Sequence, residues 1–413
     1  MELDATALTL WIFAGVYVAM MLGRIPGLAL DRSGAALLGA IGVIATGAAG
    51  SREAWQAVDV PTVALLFSFM VISAQFRLAG FYTYVTRRVA ALDAPPERLL
   101  FYLIFLAGGL SALLANDIVC LAATPVLIET LYRRGLHPLP FLLALACAAN
   151  IGSAATLIGN PQNMLIGQTL RLDFTAYLAL AAVPSALGLM IVWWWVIRAT
   201  PPEGWRAPRR DIAITAPAFN PWQAAKGIAV LVLAVGAFLF TAWPREVAAL
   251  AAAGALLLSR KMSSREMLGL VDWRLIILFM GLFVVNHAAA KTGFVESSLG
   301  AVAGLGLDIR QPEWMFVSVV ALSNLVSNVP AVMLLLPAAD GPLAGPILAL
   351  ASTLAGNLFV AGSIANIIVI DQAARLGVSV TWKDHLKIGG PVTLFTLALT
   401  ALWLWAVSTA GLV

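Results

Sequence analysis

The sequence predicts an all-α polytopic membrane protein of two inverted repeats, each with about five transmembrane helices and one re-entrant hairpin, and with broken helices at the site. Three observations carry this. Of 413 residues, 61% are hydrophobic and 11% charged, against roughly 25% charged in a soluble domain. Runs such as Thr6 to Leu22, Ala229 to Thr241 and Pro391 to Val407 hold no charged residue, and most such runs approach the roughly 20 residues that cross a bilayer. Finally, Arg32 recurs as Arg245, Ser51-Arg52-Glu53 as Ser264-Arg265-Glu266, and Asp59 as Asp272, each 213 residues on (272 minus 59).

Crossing helices are expected near 6–22, 33–49, 60–86, 138–170, 174–197, 223–241, 246–259, 275–291, 344–370 and 388–411. Two further apolar segments, 99–131 and 312–342, are interrupted at their centres by polar residues and read as hairpins that return to their own side. Basic residues test this reading. With the N-terminus outside, inner loops collect nineteen of the 25 Lys and Arg, among them Arg24, Arg87, Arg88, Arg133, Arg134, Arg260 and Lys261, in line with the positive-inside rule. Treating either hairpin as one full crossing inverts everything after it and spoils the bias. Arg77 sits within the third helix. Both termini are thus expected outside a bacterial-type inner membrane.

The repeat extends through Gly80-Phe81 with Gly293-Phe294 at 213, Ser111 with Ser323, Asn116 with Asn328 and Pro125 with Pro337 at 212, and Asn150 with Asn357 at 207. Residues 1–197 form the first repeat and 223–413 the second. An odd number of crossings in each places the copies in opposite orientations. Between them, 198–222 carries Pro201, Pro202, Pro208, Pro217 and Pro221 and reads as a cytoplasmic linker. Glu2 and Asp4 at the start replace the positive n-region of a cleavable signal peptide, so the first helix is expected to stay. Cys120 and Cys147 lie in apolar runs and offer neither a disulfide framework nor metal spacing. The net charge of +4 reports orientation rather than a nucleic-acid partner.

The chemistry is expected at four interruptions. Leu113 to Val119, containing Asn116 and Asp117, breaks the first hairpin, and Asn324 to Pro330, containing Ser327 and Asn328, breaks the second. Gly152 to Asn163, with Thr156, Asn160, Gln162 and Asn163, and Ala361 to Asn366, with Ser363 and Asn366, follow. In hydrocarbon a broken helix is tolerated only where protein or a water-lined cavity satisfies its backbone. Half-helices leaving such breaks aim N-terminal amides at one space, which suits an anion. Released carbonyls and the oxygens of Asn116, Asn160, Asn328 and Asn366 suit a small hard cation such as sodium. Asn116 and Asn328 also read as helix caps. Asp117 has Val329 as its counterpart, and an intramembrane carboxylate is a proton carrier or sodium ligand by default. His287 reads as a packing residue, Asp371 and Gln372 as a helix end, and Trp193, Trp194, Trp195, Trp403 and Trp405 as interfacial anchors.

Ala115-Asn116-Asp117 with Thr124-Pro125 resembles the first-hairpin motif of arsenite permeases, and Ile158-Gly159-Asn160-Pro161-Gln162-Asn163 resembles the break of divalent anion/sodium symporters. Nearly the whole chain resembles the ion transporter superfamily that holds both, together with NhaD-type antiporters, and most resembles its YbiR-like permeases. The resemblance implies a scaffold part, often dimeric, and a transport part that moves like an elevator with both hairpin tips around the substrate. The chain departs from the anion symporters, whose tips read Ser-Asn-Thr, at Ala115-Asn116-Asp117 and Ser327-Asn328-Val329. Gly362-Ser363-Ile364-Ala365 resembles the second break of arsenite permeases, with Asn366 added.

The expected function is secondary transport of a small anion coupled to sodium or protons. Its rivals are arsenite or antimonite efflux, for which Cys120 and Cys147 are the discriminating residues, and sodium/proton antiport. An enzyme is not expected, because the sequence holds neither a His-Glu-x-x-His motif nor a nucleophile paired with a base. A passive channel suits inverted copies with four breaks less well than alternating access does.

Overall fold

The computed structural model describes residues 5–23, 25 and 27–411. Glu2, Asp4 and Arg24 lie outside the described residues. The first half runs α1 (Ala5–Leu22), α2 (Arg32–Ala45), α3 (Ser51–Gln56), α4 (Val60–Leu78), α5 (Phe81–Ala90), α6 (Pro96–Leu113), α7 (Asn116–Arg133), α8 (Pro138–Ser153), α9 (Pro161–Thr169) and α10 (Phe174–Ala199). The second runs α11 (Pro221–Phe240), α12 (Arg245–Leu257), α13 (Ser264–Gly269), α14 (Trp273–Lys291), α15 (Phe294–Gly304), α16 (Pro312–Val326), α17 (Asn328–Leu335), α18 (Ala344–Ala355), α19 (Ile364–Arg375) and α20 (Trp382–Thr409). Each half thus repeats one order of long, short and interrupted helices.

Among the described residues, seven helices, α1, α4, α6, α10, α11, α14 and α20, are long and apolar enough to cross a membrane. By contrast α8 and α18, of 16 and 12 residues, reach about 24 and 18 Å at 1.5 Å per residue, short of the roughly 30 Å of hydrocarbon. They stop inside the protein. Every residue of α18 and all but Leu139 of α8 are buried, as expected of helices apolar on all faces.

The repeated aspartates have a local cause. Asp59 accepts a hydrogen bond from the Thr62 amide at 2.9 Å, and Asp272 one from Leu275 at 3.1 Å. Each caps the helix that follows, so α14 begins before the expected residue 275. The expected helix 60–86 is two helices. Gly80 adopts φ +66° between α4 and α5, and a Cβ there would lie 2.7 Å from the carbonyl oxygens of Pro217 and Ala218. Left-handed backbone and lack of room both call for glycine. Its counterpart Gly293, at φ +74°, starts α15 in the same way.

Packing is reciprocal between the halves. Helix α2 lies on α14 as α12 lies on α4; α6 lies on α8 as α16 lies on α18; α7 meets α19 as α17 meets α9. Three tryptophans expected as interfacial anchors tie helices together: Trp193 donates to the Glu97 carbonyl, Trp195 to Lys387 and Trp403 to Leu180, at 2.9 to 3.0 Å. The linker is likewise tied down. His137 donates its amide to Trp205, Ala207 to Gly135 and Asn220 to Ala79, and Trp205 is buried against Phe141.

The α2–α14 crossing gives a test of this packing. A Cβ on Gly281 would fall 2.6 Å from the backbone carbon of Ala36, whereas nothing lies within 4 Å of the same position on Gly254. Gly281→Ala is expected to cost about 1–3 kcal/mol through overpacking and to lower the melting temperature in detergent. Gly254→Ala is expected to leave it unchanged or slightly higher.

Candidate functional site

Four helices begin around one small polar space. Its walls are Asn116 and Asp117 of α7, Asn160 with Pro161 and Gln162 of α9, Ser327 with Asn328 and Val329 of α17, and Gly362 and Ser363 with Ile364 of α19. Asn150 and Leu275 complete it. About 40 Å³ is open to a water-sized sphere, room for roughly three waters or one ion with part of its hydration. Each N-terminus leaves up to four amides without helical partners and carries about half a positive charge.

Asn150, in the last turn of α8, holds the breaks together. Its amide oxygen accepts from Asn116 Nδ2 at 3.2 Å and from Ser363 Oγ at 2.8 Å, while its Nδ2 donates to Asn357 Oδ1 at 2.8 Å and Asn366 Oδ1 at 3.1 Å. Asn366 Nδ2 donates to the carbonyls of Gly356 and Phe359, closing the turn between α18 and α19. On the other side Asn160 caps α9 by accepting the Asn163 amide at 2.9 Å and donates to Ser153 Oγ and Thr353 Oγ1. Gln162 Nε2 reaches the same Thr353 hydroxyl at 3.2 Å. Asn163 Nδ2 donates to the Thr156 carbonyl, and the Thr156 hydroxyl to Ala112.

Seven of the ten expected site residues therefore face the space: Asn116, Asp117, Asn160, Gln162, Ser327, Asn328 and Ser363. Thr156, Asn163 and Asn366 are absent from its walls, and their hydrogen bonds hold backbone behind it. For a cation, the donor set narrows accordingly. The amide oxygens of Asn160 and Asn366 already accept protein N–H groups, whereas Asn328 Oδ1 is buried without a partner. Asp117 forms no hydrogen bond or ion pair among the described residues. A carboxylate and an unsatisfied amide oxygen on one ion-sized space fit a hard cation. Ser327 adds strain, with φ +77° in a non-glycine residue, at a cost of about 1–3 kcal/mol that tends to concentrate at functional sites.

A second cavity, of about 150 Å³, adjoins the first and shares Asn116, Asp117, Asn160, Pro161 and Leu275 with it. Arg77 of α4 and Asp272 also line it, among apolar side chains including Leu66, Phe69 and Met70. Asn150, Thr353, Arg77 and Asp272 were not among the expected site residues. Their signal was present in the sequence as polar residues inside or beside apolar helices.

Other candidates lie elsewhere. His287 Nε2 is 3.2 Å from Glu53 Oε1, and Lys291 Nζ is 2.6 Å from it; hydrogen bonds from Lys291 and His287 hold the Glu53 carboxyl below the usual range. Asp371 pairs with Arg375 at 2.9 Å on an exposed helix face. Cys120 and Cys147 are buried and line neither cavity.

Broken helices meeting at an ion-sized polar space in an apolar bundle define a membrane transporter. The chain belongs to the CitMHS family, described as citrate transporters, which it matches over residues 8–355. It is 28% identical to the silicon efflux transporter LSI3 of Oryza sativa subsp. japonica, over 94% of this chain and 95% of the relative. It is also 28% identical to the inner membrane protein YbiR of Escherichia coli, over 81% and 85% of the two chains. A putative transporter arsB of Dictyostelium discoideum is 29% identical over 40% of this chain and 29% of its own.

Replacing Asn150 tests the hub. Asn150→Leu leaves Asn116, Ser363, Asn357 and Asn366 each short of a buried partner, at about 1–3 kcal/mol per orphaned group. Its melting temperature is expected to fall well below that of Asn286→Leu, which removes contacts only to Tyr17 and Met333.

Proposed function

We propose that this protein is a secondary active transporter that carries a small anion across a bacterial-type inner membrane, coupled to sodium or protons. One observation carries the reading: four helix N-termini and one unpaired carboxylate, Asp117, meet in a single ion-sized space. The amide dipoles favour an anion. Asp117 and the free oxygen of Asn328 favour a cation beside it, and each charge lowers the cost of burying the other. Family membership supports transport of this kind, and the family description names citrate.

The reciprocal packing of the halves supports an inverted repeat whose two-fold axis lies in the membrane plane, with the linker 198–222 on the cytoplasmic side and both termini outside. The hairpins α6–α7 and α16–α17, with the breaks after α8 and α18, form the part that moves in an elevator-type cycle, and a homodimer of the scaffold is the assembly that accompanies it. A second reading, export of a neutral hydroxide, draws on the relative named as a silicon efflux transporter and on the amide-rich walls of the 40 Å³ space. Arsenite capture by thiols is not supported, since neither buried cysteine lines either cavity.

The test is uptake into proteoliposomes of sulfate, succinate, citrate and arsenite, with and without an inward sodium or proton gradient. Gradient-driven uptake of an anion is expected, and Asp117→Asn is expected to reduce it at least about tenfold, the loss of one charge-assisted contact. Movement of arsenite alone, or anion flux indifferent to both gradients, would sink the proposal.

A further inference from the structure

We propose that the 150 Å³ cavity is an oxyanion subsite distinct from the ion-sized space, and that Arg77 is the residue that binds the anion there. This rests on the reading of the protein as an anion transporter and assigns the anion its counter-charge. Among the described residues, five basic side chains are partly buried: Arg32, Arg77, Arg134, Lys226 and Arg245. Four of them donate to backbone carbonyls: Arg32 to Met20, Arg134 to Ala90 and Ala94, Lys226 to Leu256 and Leu258, and Arg245 to Gly167. Arg77 forms no hydrogen bond or ion pair among the described residues, and it lines the cavity. A guanidinium in the last turn of a transmembrane helix is costly, and elsewhere this fold satisfies each partly buried cation with protein. Here the five donors are left for something that enters.

The charges around the cavity explain why entry of an anion is conditional. One guanidinium faces two carboxylates, Asp117 and Asp272. Asp272 is committed to the first amides of α14, whose Leu275 N–H it accepts. Asp117 is not committed to any protein donor. While Asp117 is ionised, the lining is net negative and repels an anion. Once a cation or proton in the adjoining space offsets Asp117, the charge of Arg77 is left for the substrate, and its planar fork fits a carboxylate or sulfate group in bidentate fashion. The wall that the two cavities share, Asn116, Asp117, Asn160, Pro161 and Leu275, thus lies between cation and anion.

The experiment uses wild type, Arg77→Gln and Arg77→Lys in proteoliposomes, with labelled succinate and sulfate as probes, alongside the thermal shift each anion induces in detergent. Wild type is expected to show saturable, gradient-driven uptake and an anion-induced rise in melting temperature. Arg77→Gln is expected to raise the anion KM roughly tenfold or more, to abolish the thermal shift, and to leave the sodium or proton dependence at saturating anion unchanged. Arg77→Lys is expected to fall between, since it keeps the charge and loses the fork; it carries the test if Arg77→Gln does not fold. Unchanged KM and thermal shift in Arg77→Gln, with wild type active, would overturn the subsite and leave anion transport standing. No anion uptake or shift by wild type would overturn both, and the two failures are told apart by the wild-type arm alone.

Discussion

A helix that stops inside an apolar bundle leaves amides and carbonyls that lipid cannot satisfy, and four such stops meet among the described residues. The cost of each unpaired group, several kcal/mol in hydrocarbon, means that the breaks are stable only where they satisfy one another. Asn150 is the centre of that solution. Its one side chain joins the tip of the first hairpin, the cap of α19 and the turn after α18, three pieces drawn from both halves of the chain. The burial of α8 and α18 follows, because the helices that deliver the breaks have to be shielded on all sides, and the long lipid-facing helices supply the shield.

The same convergence creates the electrostatics of the site. Aligned N-termini make the space positive without any basic side chain on its walls, so its field depends on backbone geometry. Asp117 opposes that field on one side only, because the second hairpin presents Val329 after its Asn328. Two hairpins with reciprocal packing are thus chemically unequal. The first half contributes Arg77 and Asp117, and the second half contributes Asp272 to the larger cavity and amide and hydroxyl oxygens to the smaller space.

Much of this was legible in the sequence. Ser111, Asn116 and Pro125 with their partners gave the hairpins away because polar residues in apolar runs are expensive and recur only for cause. Asp117, Asn160 and Ser363 were found on the same ground. The division between lining and supporting residues was not legible: Asn163 and Asn366 have the composition of ligands, and only the path of the backbone shows that they hold carbonyls behind the wall. Asn150 matched Asn357 in the repeat, yet its role as a hub depends on contacts 207 and 216 residues away along the chain. The split at Gly80 was hidden because the residues on both sides are helix-compatible and the reason for the turn is the distant linker.

That linker has a mechanical consequence. At one end, Ala207 and Arg210 are bonded to the hairpin terminus at Gly135 and Tyr132, and Asp211 is paired with Arg133. At the other, Asn220 is bonded to Ala79 and Phe219 stacks on Tyr84 with ring centroids 4.0 Å apart. The stretch from Asp211 to Asn220 can extend to about 30 Å and no further. It is a tether between α7 and the end of α4, so these two helices separate beyond that span only when the contacts at one of its ends break.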